Sequence, residues 1–279
     1  MAEKQLTKQQ LISRSINKKY RKEIWNPFIK AVKDYDLIQK DDKIAVCISG
    51  GKDSFILALL LKILHSHSEV PFSLEFIVMD PGYSAKDLDR IKNSAQTLGI
   101  ELNIFKTDVF EVAQKIGGTT PCYLCARMRR GYLYSKAQEL GCNKIALGHH
   151  FSDVIETTVM GMLYGSQLQA MLPKLHSTNF EGMQLIRPLY CVHEDAIISW
   201  KNYNELDFIN CACTVTQKNV SCEEASGSKR KEVKMLIKAL KKDNPIVEKS
   251  IFNSIHNVKL DTFVEYTKDK QTHSFLDEF

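Results

Sequence analysis

Two groups of residues in this chain have the types and spacing to do chemistry, and the first is Ser49-Gly50-Gly51-Lys52-Asp53-Ser54. It follows directly on the apolar run Lys43-Ile44-Ala45-Val46-Cys47-Ile48 and directly precedes Phe55-Ile56-Leu57-Ala58-Leu59-Leu60-Leu61. A strand, a glycine turn and a helix in that order build a pocket for phosphate. Paired glycines let the chain turn sharply and bring N–H groups close to an anion, while the helix points its positive dipole end at the same spot. The second group is Cys122 and Cys125, placed behind Pro121 and ahead of Arg127, Arg129 and Arg130, with Cys211 and Cys213 much later in the chain. Thiols in the first turn of a helix, with cations behind them, ionise more readily, and thiolate is the form that binds metals.

Each group has competing readings. The loop lacks the G-x-x-x-x-G-K-[ST] pattern, which disfavours a kinase or GTPase, and a bare Gly-Gly turn could be a structural joint. The cysteines could hold structural zinc through Cys122, Cys125, Cys211 and Cys213, although a C-x-C half strains a tetrahedral site. Cys122 and Cys125 could instead form a dithiol or persulfide pair. The third reading is an iron–sulfur cluster on three thiolates, with one iron left open. The chain has eight cysteines and no export signal, so metal or redox chemistry in a reducing compartment is expected sooner than disulfides. Cys47, Cys142 and Cys191 stand among apolar neighbours and read as small core residues.

The elements that must position these groups follow from periodicity. Ile12, Ile16, Tyr20, Ile24 and Phe28 recur at helical spacing, which predicts an N-terminal helical arm over 1–40. Strands are expected at 43–48, 73–79, 101–106 and 143–147, alternating with helices at 54–66, 85–98, 108–116, 122–140 and about 153–164. Such alternation specifies an α/β fold, a doubly wound parallel sheet over 41–210, with ligands bound beyond the carboxyl ends of the strands. The turn at 49–54, Asp80, and Gly148 with His149 all fall at such ends and converge on one crevice. Residues 165–182 read as a loop, 184–187 as a strand and 193–203 as a helix. In a C-terminal helical extension, 211–279, one helix stops at Asn244-Pro245, another spans 251–258, and 265–279 reads as frayed or partner-dependent.

Composition sets outer limits. No run of eighteen apolar residues occurs and the N-terminus is polar from the start, so a cytoplasmic protein without a membrane partner is expected. The net charge of +5 is unevenly spread over Lys18-Lys19, Arg21-Lys22, Arg127 with Arg129-Arg130, and Lys229-Arg230-Lys231. Any one cluster could be a solvated helix face; together they favour a polyanionic partner, with Arg127, Arg129 and Arg130 among the cations that would meet its phosphates.

The loop resembles the pyrophosphate (PP) loop of ATP pyrophosphatases, adenine nucleotide α-hydrolase-like proteins that split ATP into AMP and pyrophosphate while adenylating a carbonyl oxygen. The resemblance implies that ATP binds at Ser49, Gly50, Gly51, Lys52, Asp53 and Ser54, with Lys52 on the β- and γ-phosphates and Asp53 helping to hold Mg2+. Adenine would rest near Met79-Asp80 and Gly148-His149. A longer resemblance runs through Pro121-Cys122-Tyr123-Leu124-Cys125-Ala126-Arg127-Met128-Arg129-Arg130-Gly131, 144–150, Leu163-Tyr164-Gly165, Pro173-Lys174-Leu175, Arg187-Pro188-Leu189 with Glu194, and Asn257-Val258. These segments, in that order, are similar to the tRNA 2-thiocytidine synthetase family.

That resemblance implies ATP- and 4Fe-4S-dependent thiolation of an anticodon-loop cytidine, with sulfur replacing the C2 oxygen. Cys122 and Cys125 would be cluster ligands, Cys211 or Cys213 the third, and Asp53, Asp153 and Lys52 the catalytic residues. His149 and His150 would touch ATP or substrate, or be structural; Asp153 could equally be a charge matched to a helix dipole. Expected partners are tRNA and a sulfur donor such as a cysteine desulfurase or free sulfide, in a monomer or homodimer. Three departures stand out: Ser152 replaces a family acid, C-x-C replaces a second C-x-x-C, and Gln167 and Gln169 replace lysines. Thiolation of another tRNA base or of a small molecule, a PP-loop ligase with structural zinc, and a sensor that only binds ATP are the alternatives.

Overall fold

The computed structural model describes residues 6–109, 112, 121–209 and 229–278, with the backbone alone described for 121–126. Those residues fall into two compact units, one drawn from Met1–Val154 and Met171–Ser228, the other from Ile155–Ala170 and Lys229–Phe279.

The first unit is built on a six-stranded sheet. Parallel strands β1 (Lys43–Ile48), β2 (Ser73–Asp80), β3 (Asn103–Lys106) and β4 (Lys144–Ala146) are joined by β5 (Lys174–His176) and β6 (Gln184–Ile186) in the order β3-β2-β1-β4-β6-β5. β5 pairs antiparallel with β6, so the sheet is mixed at that edge, and β5 occupies part of the stretch read from sequence as loop. β1 is central, with β2 and β4 on either side, and its residues from Ile44 to Ile48 are all buried. An apolar strand without alternation is what a sheet covered on both faces requires.

Helix α1 spans Lys8–Asn17, α2 spans Asn26–Asp34 and α3 spans Lys52–His67; α4 is Ala85–Leu98, α5 Pro121–Glu139, α6 Phe151–Gly165 and α7 Glu194–Tyr203. Seven successive residues of α3, Phe55 to Leu61, are buried, so the helix following the glycine turn is covered all round. The expected N-terminal arm is part of this core: Ile12, Ile16, Tyr20, Ile24 and Phe28 pack in one cluster with α3, each such burial stabilising by roughly 1.5–3 kcal/mol. A repeat of four drifts around an α-helix, and a π-helical turn at Arg21–Trp25 returns it to the core face. α4 has the predicted bounds because Ser84 caps its start and Gly99, at φ 63°, ends it. The helix expected at 108–116 lies mostly outside the described residues.

The second unit contains α8 (Lys229–Asp243), α9 (Val247–Ser254) and a hairpin of β7 (Glu265–Lys268) and β8 (Gln271–Ser274). α8 ends just before Asn244-Pro245, as predicted. α9 begins and ends four residues ahead of the expected 251–258, and the hairpin corrects the expectation of a frayed tail. Its two turn residues, Asp269 and Lys270, both have positive φ, 51° and 66°, the form a two-residue hairpin turn needs. Among the described residues no helix is long and apolar enough to cross a membrane.

Candidate active site

The turn between β1 and α3 is shaped before any ligand arrives. Gly50 has φ +88°, and a Cβ there would lie 2.5 Å from Ile209 Cδ1 and 2.9 Å from Ile91 Cγ1, so only glycine fits. Gly51 is the extended N-cap of α3 and offers no side chain to the helix N–H groups. Ser54 Oγ donates to the Gly51 carbonyl at 2.9 Å and accepts the Ser49 N–H at 3.2 Å, closing the loop on itself. Gly148, after β4, packs so tightly on this turn that a Cβ would be 3.0 Å from the Asp53 carbonyl and 3.1 Å from Ser54 N.

Lys52 and Asp53 open α3. Lys52 Nζ lies 3.0 Å from Asp53 Oδ2 and 3.1 Å from Glu194 Oε1 at the start of α7. Burial works against the Lys52 cation, but the two carboxylates outweigh it and its pKa is raised. Asp53 Oδ1 is buried with no hydrogen-bond partner, and His150 Nε2 is 3.8 Å away. His150 and Asp153 cap α6 reciprocally: Asp153 Oδ2 accepts the His150 N–H at 3.0 Å, and His150 Nδ1 accepts the Asp153 N–H at 3.3 Å. This places the neutral ring's proton on Nε2, facing Asp53. It is the geometry of a capping box with histidine in the position serine usually takes.

These groups border a cleft of about 610 Å³ beyond the carboxyl ends of the strands. Ser49, Asp53, Ser54, Gly148, His149 and Asp153 line one part of it; Arg129, Arg130 and Leu133 of α5 line another, with Arg187 behind β6. Five of the expected nucleotide- and RNA-contacting residues, Gly50, Gly51, Lys52, Asp80 and Arg127, are not in the lining. Lys52 turns toward Glu194 instead. Asp80, only 6% exposed, uses Oδ1 to accept the Gly82 and Tyr83 N–H groups at 2.9 and 2.8 Å, so its carboxylate shapes its own loop. Arg127 is exposed.

Cys122 and Cys125 fall in the first turn of α5, and Cys211 and Cys213 lie outside the described residues. Positions 122, 125, 129 and 133, spaced three, four and four, lie within about 80° of one another at 3.6 residues per turn. Two of the four, Arg129 and Leu133, line the cleft. Among the described cysteines, burial pushes Cys47 up to about 12 and Cys142 and Cys191 up to about 11. Protonated thiols are poor metal ligands, which disfavours these three in that role. Among the described residues no cluster of three or more His, Cys, Asp and Glu could hold a metal by itself. For Mg2+ the fitting donor is Asp53, whose buried Oδ1 has a vacant acceptor site, whereas Asp153 Oδ2 is committed to the cap.

Sequence reasoning left two residues without a role. Glu194 completes the Lys52 pair, and Arg187 brings a buried cation to the cleft. Arg187 was legible by the rule that flagged Asp80, since it directly follows an apolar strand; Glu194 was not, because nothing in the chain pairs a residue near 194 with one at 52.

Comparison with known proteins agrees with this geometry. The PP-loop domain model matches residues 15–218, so fold and loop together define a PP-loop protein. The chain is 36% identical over 82% of its length to the tRNA-cytidine(32) 2-sulfurtransferase of Citrifermentans bemidjiense, covering 88% of that protein. It is also 36% identical to that of Geobacter sulfurreducens, over 87% of this chain and 92% of the relative. The chain belongs to the tRNA-cytidine(32) 2-sulfurtransferase family of PP-loop proteins. The U34-tRNA thiolase NcsA from Methanococcus maripaludis, solved with its [4Fe-4S] cluster, has the same fold, with a TM-score of 0.65 at 24% identity over 84% of this chain and 79% of that one.

Proposed function

We propose that the protein thiolates a cytidine in the anticodon loop of tRNA, at position 32 as its relatives' names state, using ATP. The base C2 oxygen attacks the α-phosphorus, the α–β bridge breaks and pyrophosphate leaves; a sulfur nucleophile then adds at C2 and AMP departs with the original oxygen. Adenylation is needed because a bare oxide is a poor leaving group and AMP a good one. In this reading the Ser49–Ser54 turn and Lys52 hold the leaving pyrophosphate, and Asp53 holds Mg2+ through Oδ1. Asp153 and His150 fix the adjoining helix start. A 4Fe-4S cluster, held by Cys122, Cys125 and either Cys211 or Cys213, would supply the sulfur chemistry.

The observation that carries the reading is shared geometry. The helix bearing positions 122 and 125 presents Arg129 and Leu133, on the same face, to the cleft that contains Asp53. In this reading one substrate atom meets both chemistries. The enzyme would be cytoplasmic, a monomer or homodimer, taking sulfur from a cysteine desulfurase or free sulfide. Mass spectrometry of tRNA nucleosides from a deletion strain tests it: 2-thiocytidine should disappear and return with the wild-type gene but not with Cys122→Ser. Undiminished 2-thiocytidine in the deletion strain would overturn the reading.

A further inference from the structure

Arg187 stands at the carboxyl end of β6 and lines the cleft while only 9% exposed. Its Nη1 donates to the Leu172 carbonyl, which fixes one edge of the guanidinium. Its Nε is buried with no hydrogen-bond partner, and no carboxylate pairs with it among the described residues. Burial pulls its pKa down to about 10; Arg130 pushes the same way, and Tyr134, Tyr190 and Asp153 oppose. It is still a cation at neutral pH.

Holding a buried charge with no carboxylate in ion-pair contact, Asp153 acting only at longer range and a second arginine opposing it, is costly unless a ligand completes it. An anion bound at this point would offset that cost. The triphosphate already has the β1 turn and Lys52. β6 lies two strands from β1 in the order β1-β4-β6, about 10 Å across the sheet. That is the side reached by Arg130 on α5, the helix whose first turn carries Cys122 and Cys125. A planar guanidinium with a free edge matches phosphate oxygens in pairs.

We infer that Arg187, assisted by Arg130, binds a backbone phosphate of the acceptor RNA beside the reacting nucleotide. The inference rests on the proposed function and adds a specific subsite to it. Arg187 would hold the strand while the base reaches between the turn and α5, so it acts on RNA affinity and leaves the nucleotide site alone.

The test measures tRNA binding at several salt concentrations, and binding of a non-hydrolysable ATP analogue, for wild type, Arg187→Ala, Arg187→Lys and Arg130→Ala. Arg187→Ala should weaken tRNA binding by about tenfold or more and reduce the salt slope by about one, with Arg187→Lys falling between it and wild type. ATP-analogue affinity should stay near wild type. If the analogue loses affinity and tRNA does not, or if neither changes, the assignment is overturned. Should Arg187→Ala fail to fold, Arg187→Lys and the exposed Arg130→Ala decide: unchanged tRNA affinity in both would sink it. Wild-type protein that binds no tRNA would defeat the function itself, a separate result from a variant that merely matches wild type.

Discussion

Asp53 and Asp80 both stand near the carboxyl ends of neighbouring strands, Asp80 as the last residue of β2 and Asp53 as the second of α3 after the β1 turn, and the fold uses them in opposite ways. Asp80 turns its carboxylate inward onto the N–H groups of Gly82 and Tyr83, and Tyr83 then donates to the Ser49 carbonyl at 3.3 Å. The loop after β2 is thereby complete and braces its neighbour. Asp53 takes Lys52 on one oxygen and leaves the other buried without a partner. A satisfied carboxylate supports structure, whereas one with a free buried oxygen has an acceptor to offer a ligand. Position on a strand end identifies both as candidates; only the hydrogen bonds separate them.

The sharpest way to break that contrast is Asp53→Ala. If Asp53 holds Mg2+ as proposed, its removal should cut AMP formation in the presence of tRNA by about a thousandfold while whatever iron and acid-labile sulfide the wild type carries is retained. Retained AMP formation would show that the orphaned oxygen has no role. Next comes Gly148→Ala, which leaves every charge in place. Its new Cβ would press on the backbone of Asp53 and Ser54 at 3.0 to 3.1 Å, and atoms of the main chain cannot swing aside. A misplaced turn should cost about a hundredfold in AMP formation, measured in the same assay.

Glu194→Gln probes the Lys52 end of the site. With one of its two carboxylates neutralised, Lys52 is held less firmly, and the KM for ATP should rise about tenfold. An unchanged KM would mean that Asp53 alone positions the lysine. Asp80→Ala should behave differently from all of these: two partly buried N–H groups lose their acceptor, stability falls by about 1 kcal/mol in urea unfolding, and turnover at low temperature stays close to wild type. A turnover loss like that of Asp53→Ala would erase the distinction between the two loops.

The sequence was most readable where local chemistry and tertiary packing agree. β1 and α4 have their predicted bounds because burial on both faces and a Ser84/Gly99 cap pair leave no competing option. The cleft was legible in the same way, since strand ends, glycines and an apolar helix all point to it. What escaped had weak or misleading local signals. β5 is three residues long and gains its partner only from β6, so nothing around Lys174 to His176 announces a strand. The β7–β8 hairpin turns on Asp269-Lys270, without the Asn-Gly or Asp-Gly pair that usually marks such a turn. The Lys52–Glu194 pair joins residues 142 apart in the chain, a contact that periodicity cannot reveal.

Cys47 gives the smallest effect and tests the contrast from beneath. It precedes the β1 turn and lines the same cleft as Asp53, yet burial raises its thiol to about 12 from 9.0, with Cys142 adding to the shift. A thiol whose folded pKa lies above its unfolded value stays protonated longer in the native state, so its contribution is fully present below about pH 9 and is lost as pH climbs toward 12. The raised Lys52 acts in the same direction, its contribution lasting below 10.5 and fading above it. Stability should therefore be flat for these groups near neutrality and decline in alkali. Cys47→Ala should make the decline from pH 9 to 12 shallower in thermal melts while leaving AMP formation at pH 7 near wild type. In native wild-type protein Cys47 should also resist alkylation at pH 7, because the thiolate is not formed there. Rapid labelling of Cys47 would place a reactive sulfur in the cleft and weaken the proposal that the sulfur chemistry belongs to α5.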